Sequence, residues 1–332
     1  MRKVFTFATL ILCIESSLVA SSDMSKFLRP IEVPYPQNNV PTLERVELGK
    51  LLFFDVRLSK NNDISCATCH NPKAGWQDSM PLAVGDEGAI GSRNTPGILN
   101  AAYQHHQFWD GRVKTLEEQA LGPIQSNVEM NLSLDEALSR LNSIQGYVEL
   151  FDKAYPNEGI TKDTLAKALA SFERTIISSD APFDKYIKGD KNSITPEALE
   201  GWKIFSSDKG KCLNCHDGFN YTDGSFHNIG LNTDDTGRFN VKERDAWFGT
   251  FKTPTLRDVT KTAPYFHNGS IYDLFSATDV CAKGGENHNV RNYSTAMHKL
   301  NLTKKEIEFL VEFMKALESP DIDIKIPTVF PQ

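Results

Sequence analysis

The chain has 332 residues, 40% of them hydrophobic and 24% charged, with a formal net charge of −7. That composition is ordinary for a folded chain of about two domains. The acidic balance argues against a nucleic-acid partner, which would want a basic face, and is compatible with a basic electron-donor protein.

Arg2 and Lys3 open the chain, an apolar run from Val4 to Ile14 follows, and small residues surround Ala20. This pattern predicts a secretory signal peptide over 1–20 and hence a periplasmic protein. A buried N-terminal strand is the alternative, and a lipid anchor at Cys13 is disfavoured by the bulky Leu12 before it. Removing Arg2, Lys3 and Glu15 leaves the charge at −8. No later segment approaches the length of a membrane span.

The strongest signal is Cys-x-x-Cys-His, which occurs at Cys66, Cys69, His70 and again at Cys212, Cys215, His216. It is the attachment signature of c-type haem: two thiols add to the vinyl groups and the adjacent histidine is placed to bind iron. A zinc site would not need a histidine directly after each second cysteine, a redox dithiol needs one copy, and structural disulfides need no histidine. Two complete copies predict two covalently bound c-type haems.

The motifs sit inside a longer repeat. "GKLLF" (Gly49–Phe53) and "GWKIF" (Gly201–Phe205) precede them; "NTPGIL" (Asn94–Leu99) and "KTPTLR" (Lys252–Arg257) follow. Gly111 in "FWDGRVKTL" and Gly269 in "FHNGSIYDL" each lie 15 residues after the matching proline. The expected fold is mainly α: two cytochrome c-like haem domains related by internal duplication, 21–180 and 181–332, with a polar, turn-rich boundary over Ser178–Ser193. Ser133 with Glu136, and Thr303 with Glu306, read as capping boxes. Leu165, Leu169, Phe172, Ile176 and Ile307, Leu310, Val311, Met314, Leu317 read as core stripes of helices. The long loop Asn71–Asn94 would be unusual in a bare domain, but packing on a haem can order it.

Twelve residues beyond the repeat glycines lie Pro123 and Cys281. Proline cannot ligate iron; a thiolate can. The register predicts one haem with an open face and one closed by sulfur, the alternative for Cys281 being a buried inert thiol. Met297, His298, His288 and His267 are rival ligands; His267 matches Trp109 in the repeat, which points it elsewhere, and the others lie in a polar stretch expected at the surface.

From "LGKLLFFDVRLS", "SCATCH", "RNTPGILNA", "FWDGR", "EEQALGPI", "VEM", "CLNCH", "FHNIG", "FKTPTLRDV" and "PYFHNGS", the sequence resembles the bacterial di-haem cytochrome c peroxidase and MauG family over about Thr42 to Leu317. The resemblance implies His70 as proximal ligand of the peroxide-reacting haem and His216 as ligand of the second. Gln119 and Glu129 would line the distal pocket, and Trp109 would bridge the haems. It also implies a calcium ion held by Asn94 and the carbonyls of Thr262 and Pro264, a ligand chemistry that suits Ca²⁺. A tendency towards homodimers comes with it.

Two departures stand out. "LAVGDEGAIGSRNTP" lacks the distal histidine of the classical peroxidases and has Asp86 near that place, so the open site needs no reductive activation. Cys281 stands where classical peroxidases use Met and MauG-like members use Tyr. The expected activity is hydrogen peroxide reduction, with a small electron-donor protein. One alternative is a MauG-like oxidation of a protein or small-molecule substrate. The other is a non-enzymatic electron carrier or redox sensor. Glu129 can also be read as a helix-start acid, and Trp109 as a core aromatic.

Overall fold

The computed structural model describes residues 24–332; the expected signal peptide and Cys13 lie outside the described residues. The fold is mainly helical. In chain order come α1 (Leu43–Phe54), α2 (Cys66–Cys69), α3 (Leu116–Gln125), α4 (Leu134–Asn142), α5 (Gln145–Ala154), α6 (Lys162–Glu173), α7 (Pro182–Ile187), α8 (Pro196–Phe205), α9 (Phe239–Lys242), α10 (Leu274–Ala282) and α11 (Lys304–Lys315). Two short strands, β1 (Phe226–His227) and β2 (Phe251–Lys252), pair antiparallel. The loop Asn71–Asn94 is ordered by 3-10 turns and bridges rather than by long elements.

Local chemistry sets the helix starts. Thr303 and Glu306 form the expected reciprocal box on α11. At α4, Ser133 accepts from the Glu136 N–H, but the Glu136 carboxylate turns to Arg140 at 2.6 Å, so only half of that box forms. The ion pair one turn on competes for the same side chain.

The same helix packing occurs twice. α1 lies against α6 and α8 against α11, and in each pair a glycine permits close approach. A methyl at Gly49 would fall 1.9 Å from the Ala168 carbonyl oxygen; one at Gly201 would fall 1.9 Å from that of Phe309. Four residues on, Phe53 meets Phe172 with ring centroids 5.1 Å apart, and Phe205 meets Phe313 at 4.9 Å. Because backbone cannot yield as a side-chain tip can, Gly201→Ala is expected to cost about 2–3 kcal/mol, the upper part of the overpacking range. The check is a lower urea midpoint at unchanged slope on the haem-loaded protein; an unmoved midpoint would refute such close packing.

Two apolar cores form. One gathers Leu48, Phe53, Trp76, Leu141, Tyr147, Leu165, Leu169, Phe172 and Ile176; the other gathers Phe183, Trp202, Phe205, Tyr221, Leu310, Phe313 and Leu317. The expected core stripes are thus inside, with Val311 half-buried at the margin of the second. Within the stretch 178–193, Pro182–Ile187 forms α7. Phe183 packs in the second core and Asp184 is buried against Arg257 at 2.7 Å. The chain ends cross over: Phe27 packs in the second core, whereas Ile322 and Ile324 pack on the first. Gln332 accepts a hydrogen bond from the Gly146 N–H at 2.9 Å. Among the described residues no helix is long and apolar enough to cross a membrane.

Candidate haem sites and the residues around them

One cavity of about 550 Å³ is lined by both Cys-x-x-Cys-His motifs. The backbone that presents each histidine is built alike. His70 donates from Nδ1 to the Trp76 carbonyl at 3.1 Å, and His216 donates to the Tyr221 carbonyl at 2.9 Å. Trp76 and Tyr221 both have left-handed backbone, with φ of 61° and 48°. Each is locked on its helix pair, Trp76 against Phe53 and Tyr221 against Phe205, both with centroids 6.2 Å apart. So the helix pair fixes an aromatic residue, its carbonyl fixes Nδ1, and Nε2 is left as the ligand atom. This outer hydrogen bond is the usual way to orient a ligating imidazole. Burial lowers the pKa of both histidines, which keeps them neutral and able to bind metal. Two oriented imidazoles, each with paired thiols on a shared cavity, fit two c-type haems.

From α3, Gln119 and Pro123 also line the cavity. The chain then folds back: Met130 N–H bonds the Pro123 carbonyl at 3.1 Å, and Glu129 N–H the Ser126 carbonyl at 3.0 Å. This turn brings Glu129 to the same lining as Gln119. Burial raises the Glu129 pKa, partly offset by Arg112 and Ser126. Asp86 takes no part in the lining. Its carboxylate accepts from Asn61 at 2.7 Å and Asn131 at 2.8 Å, and its N–H bonds the Glu129 carbonyl at 2.7 Å. Its role is to clip the loop to the segment that carries Glu129.

In the other half, Cys281 lines the cavity from α10. Its place matches that of Pro123: each lies seven residues after the leucine that starts its helix, Leu274 and Leu116. The preceding turns also match, with bridges Gln107–Val113 and Tyr265–Ile271 and left-handed backbone at Phe108 and Phe266. Burial first, and then the nearby Cys215, push the Cys281 thiol up to about 12. Ionisation there needs a cation in the cavity, and an iron centre is one. Met297 and His298 also line the cavity, half-buried and exposed respectively, whereas His288 is exposed and bonds the Lys283 carbonyl at 3.0 Å.

Trp109 lines the same cavity, and its Nε1 donates to the Asn94 carbonyl at 2.9 Å. His267 meets it edge-on with centroids 6.3 Å apart and stacks on Phe251. His267 is therefore in the cavity lining, buried with Nε2 unpartnered, and burial pushes it down to about 4. Asn94, Thr262 and Pro264 share the lining. Asn94 Nδ2 is anchored on the Met80 carbonyl at 2.8 Å. Among the described residues no donor reaches the Thr262 or Pro264 carbonyl.

Four polar residues in the lining were not singled out from sequence. Glu173 is buried with Oε2 unpartnered, and burial pushes it up to about 8. His227 pairs with Asp223 at 3.0 Å, which with Cys215 pushes it up to about 10. The ligand atoms of Cys215, Asp223 and His227 lie within 4.8 Å of one another; a c-type haem joined to Cys215 by a thioether would remove the anionic sulfur such a trio would need. Lys252 and Gln104 meet each other beside Trp109. Only "FHNIG" and "FKTPTLRDV" hinted at His227 and Lys252, because a sequence does not tell which polar residues turn inward.

A family model for di-haem cytochrome c peroxidase matches residues 43–192. The chain is 39% identical to the methylamine utilization protein MauG of Methylophilus methylotrophus over 331 residues, 97% of this chain and 98% of that one. It is 34% identical to the cytochrome c551 peroxidase of Nitrosomonas europaea, with 92% and 87% covered. A solved MauG-like protein associated with microbial copper homeostasis superposes with a TM-score of 0.82 at 28% identity, covering 90% of this chain and 95% of that one. The chain is a haem-peroxidase-type oxidoreductase and belongs to the di-haem cytochrome c peroxidase/MauG family, which implies two c-type haems.

Proposed function

We propose that this chain is an exported, periplasmic enzyme that reduces hydrogen peroxide at the site of His70. Electrons pass through Trp109 from a second site ligated by His216 and Cys281. The observation that carries this reading is the contrast between Pro123 and Cys281, matched in helix position but opposite in ligating ability. The twin glycine contacts and twin histidine carbonyls support an internal duplication, with 21–180 and 181–332 as its two haem units.

A bound haem iron supplies a centre that takes up peroxide and exchanges electrons. The surrounding residues supply orientation and proton handling. Trp76 and Tyr221 hold the imidazoles; Glu129, its pKa raised by burial, holds or gives up a proton at its carboxylate; Gln119 orients the oxidant or a water beside it. Trp109, tied to Asn94, gives a short aromatic path across the cavity. Asn94 with the carbonyls of Thr262 and Pro264 offers a calcium site of side-chain and main-chain oxygens.

A second reading is a MauG-like oxidase that uses peroxide against a partner protein or a small molecule. Cys281 favours it, since a thiolate donates charge to iron and makes a poor acceptor of electrons from an ordinary cytochrome. Resting-state electron paramagnetic resonance is expected to give one high-spin ferric haem and one low-spin thiolate-ligated haem; two six-coordinate low-spin haems would defeat the proposal. Steady-state peroxide turnover with reduced cytochrome c supports the first reading, and turnover without use of that donor supports the second.

A further inference from the structure

Lys252 lies on β2, where its N–H bonds the Trp109 carbonyl at 2.8 Å, and its side chain lines the cavity. Overall Lys252 is half-buried. Its side-chain partner is Gln104 Oε1. An ammonium carries three N–H donors, and the neutral amide meets one of them. Other shielded lysines are differently placed. Lys261 pairs with Asp321 at 2.7 Å and Asp258 at 3.2 Å; Lys167 pairs with Asp163 at 2.5 Å and Glu158 at 3.6 Å. Among the described residues no acidic group acts on Lys252; burial alone does, lowering its pKa to about 8. A cation shielded from water without an anion is costly, and an arriving anion would relieve that cost.

The cavity that Lys252 faces is the one the two motifs line, and a c-type haem carries two propionate carboxylates. We propose that Lys252, assisted by Gln104, is the seat of a haem propionate beside Trp109, where the second half of the chain meets the first. This rests on the di-haem reading above. The ammonium neutralises the carboxylate and disfavours the extra positive charge of ferric iron, so it raises the midpoint potential of the haem it serves. It thereby biases electron flow past Trp109 without touching iron.

The test is potentiometric titration of the full haem-loaded protein, with covalent haem counted by the alkaline pyridine spectrum. Lys252→Gln is expected to keep both haems and lower at least one midpoint. The expected change in the one-electron equilibrium is about tenfold, or about 59 mV. Lys252→Arg, which keeps the charge, is expected to stay near the parent. Unmoved midpoints in Lys252→Gln, or a Lys252→Arg protein that behaves like it, would overturn the assignment. A shift that tracks added acetate would place a free carboxylate at Lys252 and also overturn it. Should Lys252→Gln fail to accumulate, Gln104→Glu sets a competing carboxylate on the ammonium. It is expected to lower the same midpoint; no change there counts against the proposal. A parent protein with fewer than two covalent haems would sink the di-haem reading itself, and this proposal with it.

Discussion

Cys281→Ala is expected to leave both haems covalently attached while abolishing the low-spin thiolate signature of the second. The four cysteines of the two Cys-x-x-Cys-His motifs lie elsewhere, at Cys66, Cys69, Cys212 and Cys215, so covalent attachment there would have no need of Cys281. What the variant removes is the sulfur that α10 carries into the cavity near Cys215. The protein alone holds this thiol protonated, pushed up to about 12 by burial first and Cys215 second. Ionisation therefore depends on bound iron, and iron and proton compete for the sulfur. Cys281→Met keeps a sulfur ligand but drops its charge. Its midpoint potential is expected to rise on the order of 0.2 V, a fraction of the ~0.8 V over which axial ligands set haem potentials. An unaltered spectrum in Cys281→Ala would leave the thiol unemployed and remove the asymmetry between the sites.

Glu129→Gln is expected to slow peroxide turnover about 10²–10⁴-fold, the usual range for a lost proton shuttle. The neutral amide keeps the shape and loses the ability to take a proton. The pH profile gives the sharper check. Burial raises the Glu129 pKa above its ordinary 4.5, with Arg112 and Ser126 offsetting part of the rise. The carboxylate form is therefore lost as pH falls through that raised value, so the acidic limb of the rate should lie above the ordinary carboxylate range. Glu129→Gln should abolish that limb, whereas a variant of Asp86, which only clips the loop, should keep it. A Glu129→Gln enzyme with full rate and unchanged limb would assign Glu129 to the helix-start role instead.

Much of this was legible before any coordinates. The motif spacing singled out Cys66, Cys69, His70, Cys212, Cys215 and His216, because covalent haem attachment calls for a local pattern, and all six line one cavity. The repeat register placed Pro123 and Cys281 at matched points, and the two helices carry them at the same step. The core stripes followed from helical period. Less legible were the polar residues that turn inward. His267, matched to Trp109 in the repeat, lines the same cavity as Trp109, which the sequence alone did not show. The 178–193 stretch reads as a polar, turn-rich boundary, and α7 folds within it, since Phe183 finds an apolar core and Asp184 finds Arg257.

By itself, then, the sequence determined the two Cys-x-x-Cys-His motifs, the mainly helical fold and the odd thiol at a repeated position, all set by local spacing. Only the tertiary structure decided that Trp76 and Tyr221 supply the carbonyls for the two imidazoles, that Asp86 stays out of the pocket lining, and that Lys252 lines the cavity with no acidic partner among the described residues. Those outcomes depend on which groups meet across long stretches of chain and on how far water is excluded. Burial and long-range pairing are properties of the packed whole, and no short spacing in the chain encodes them.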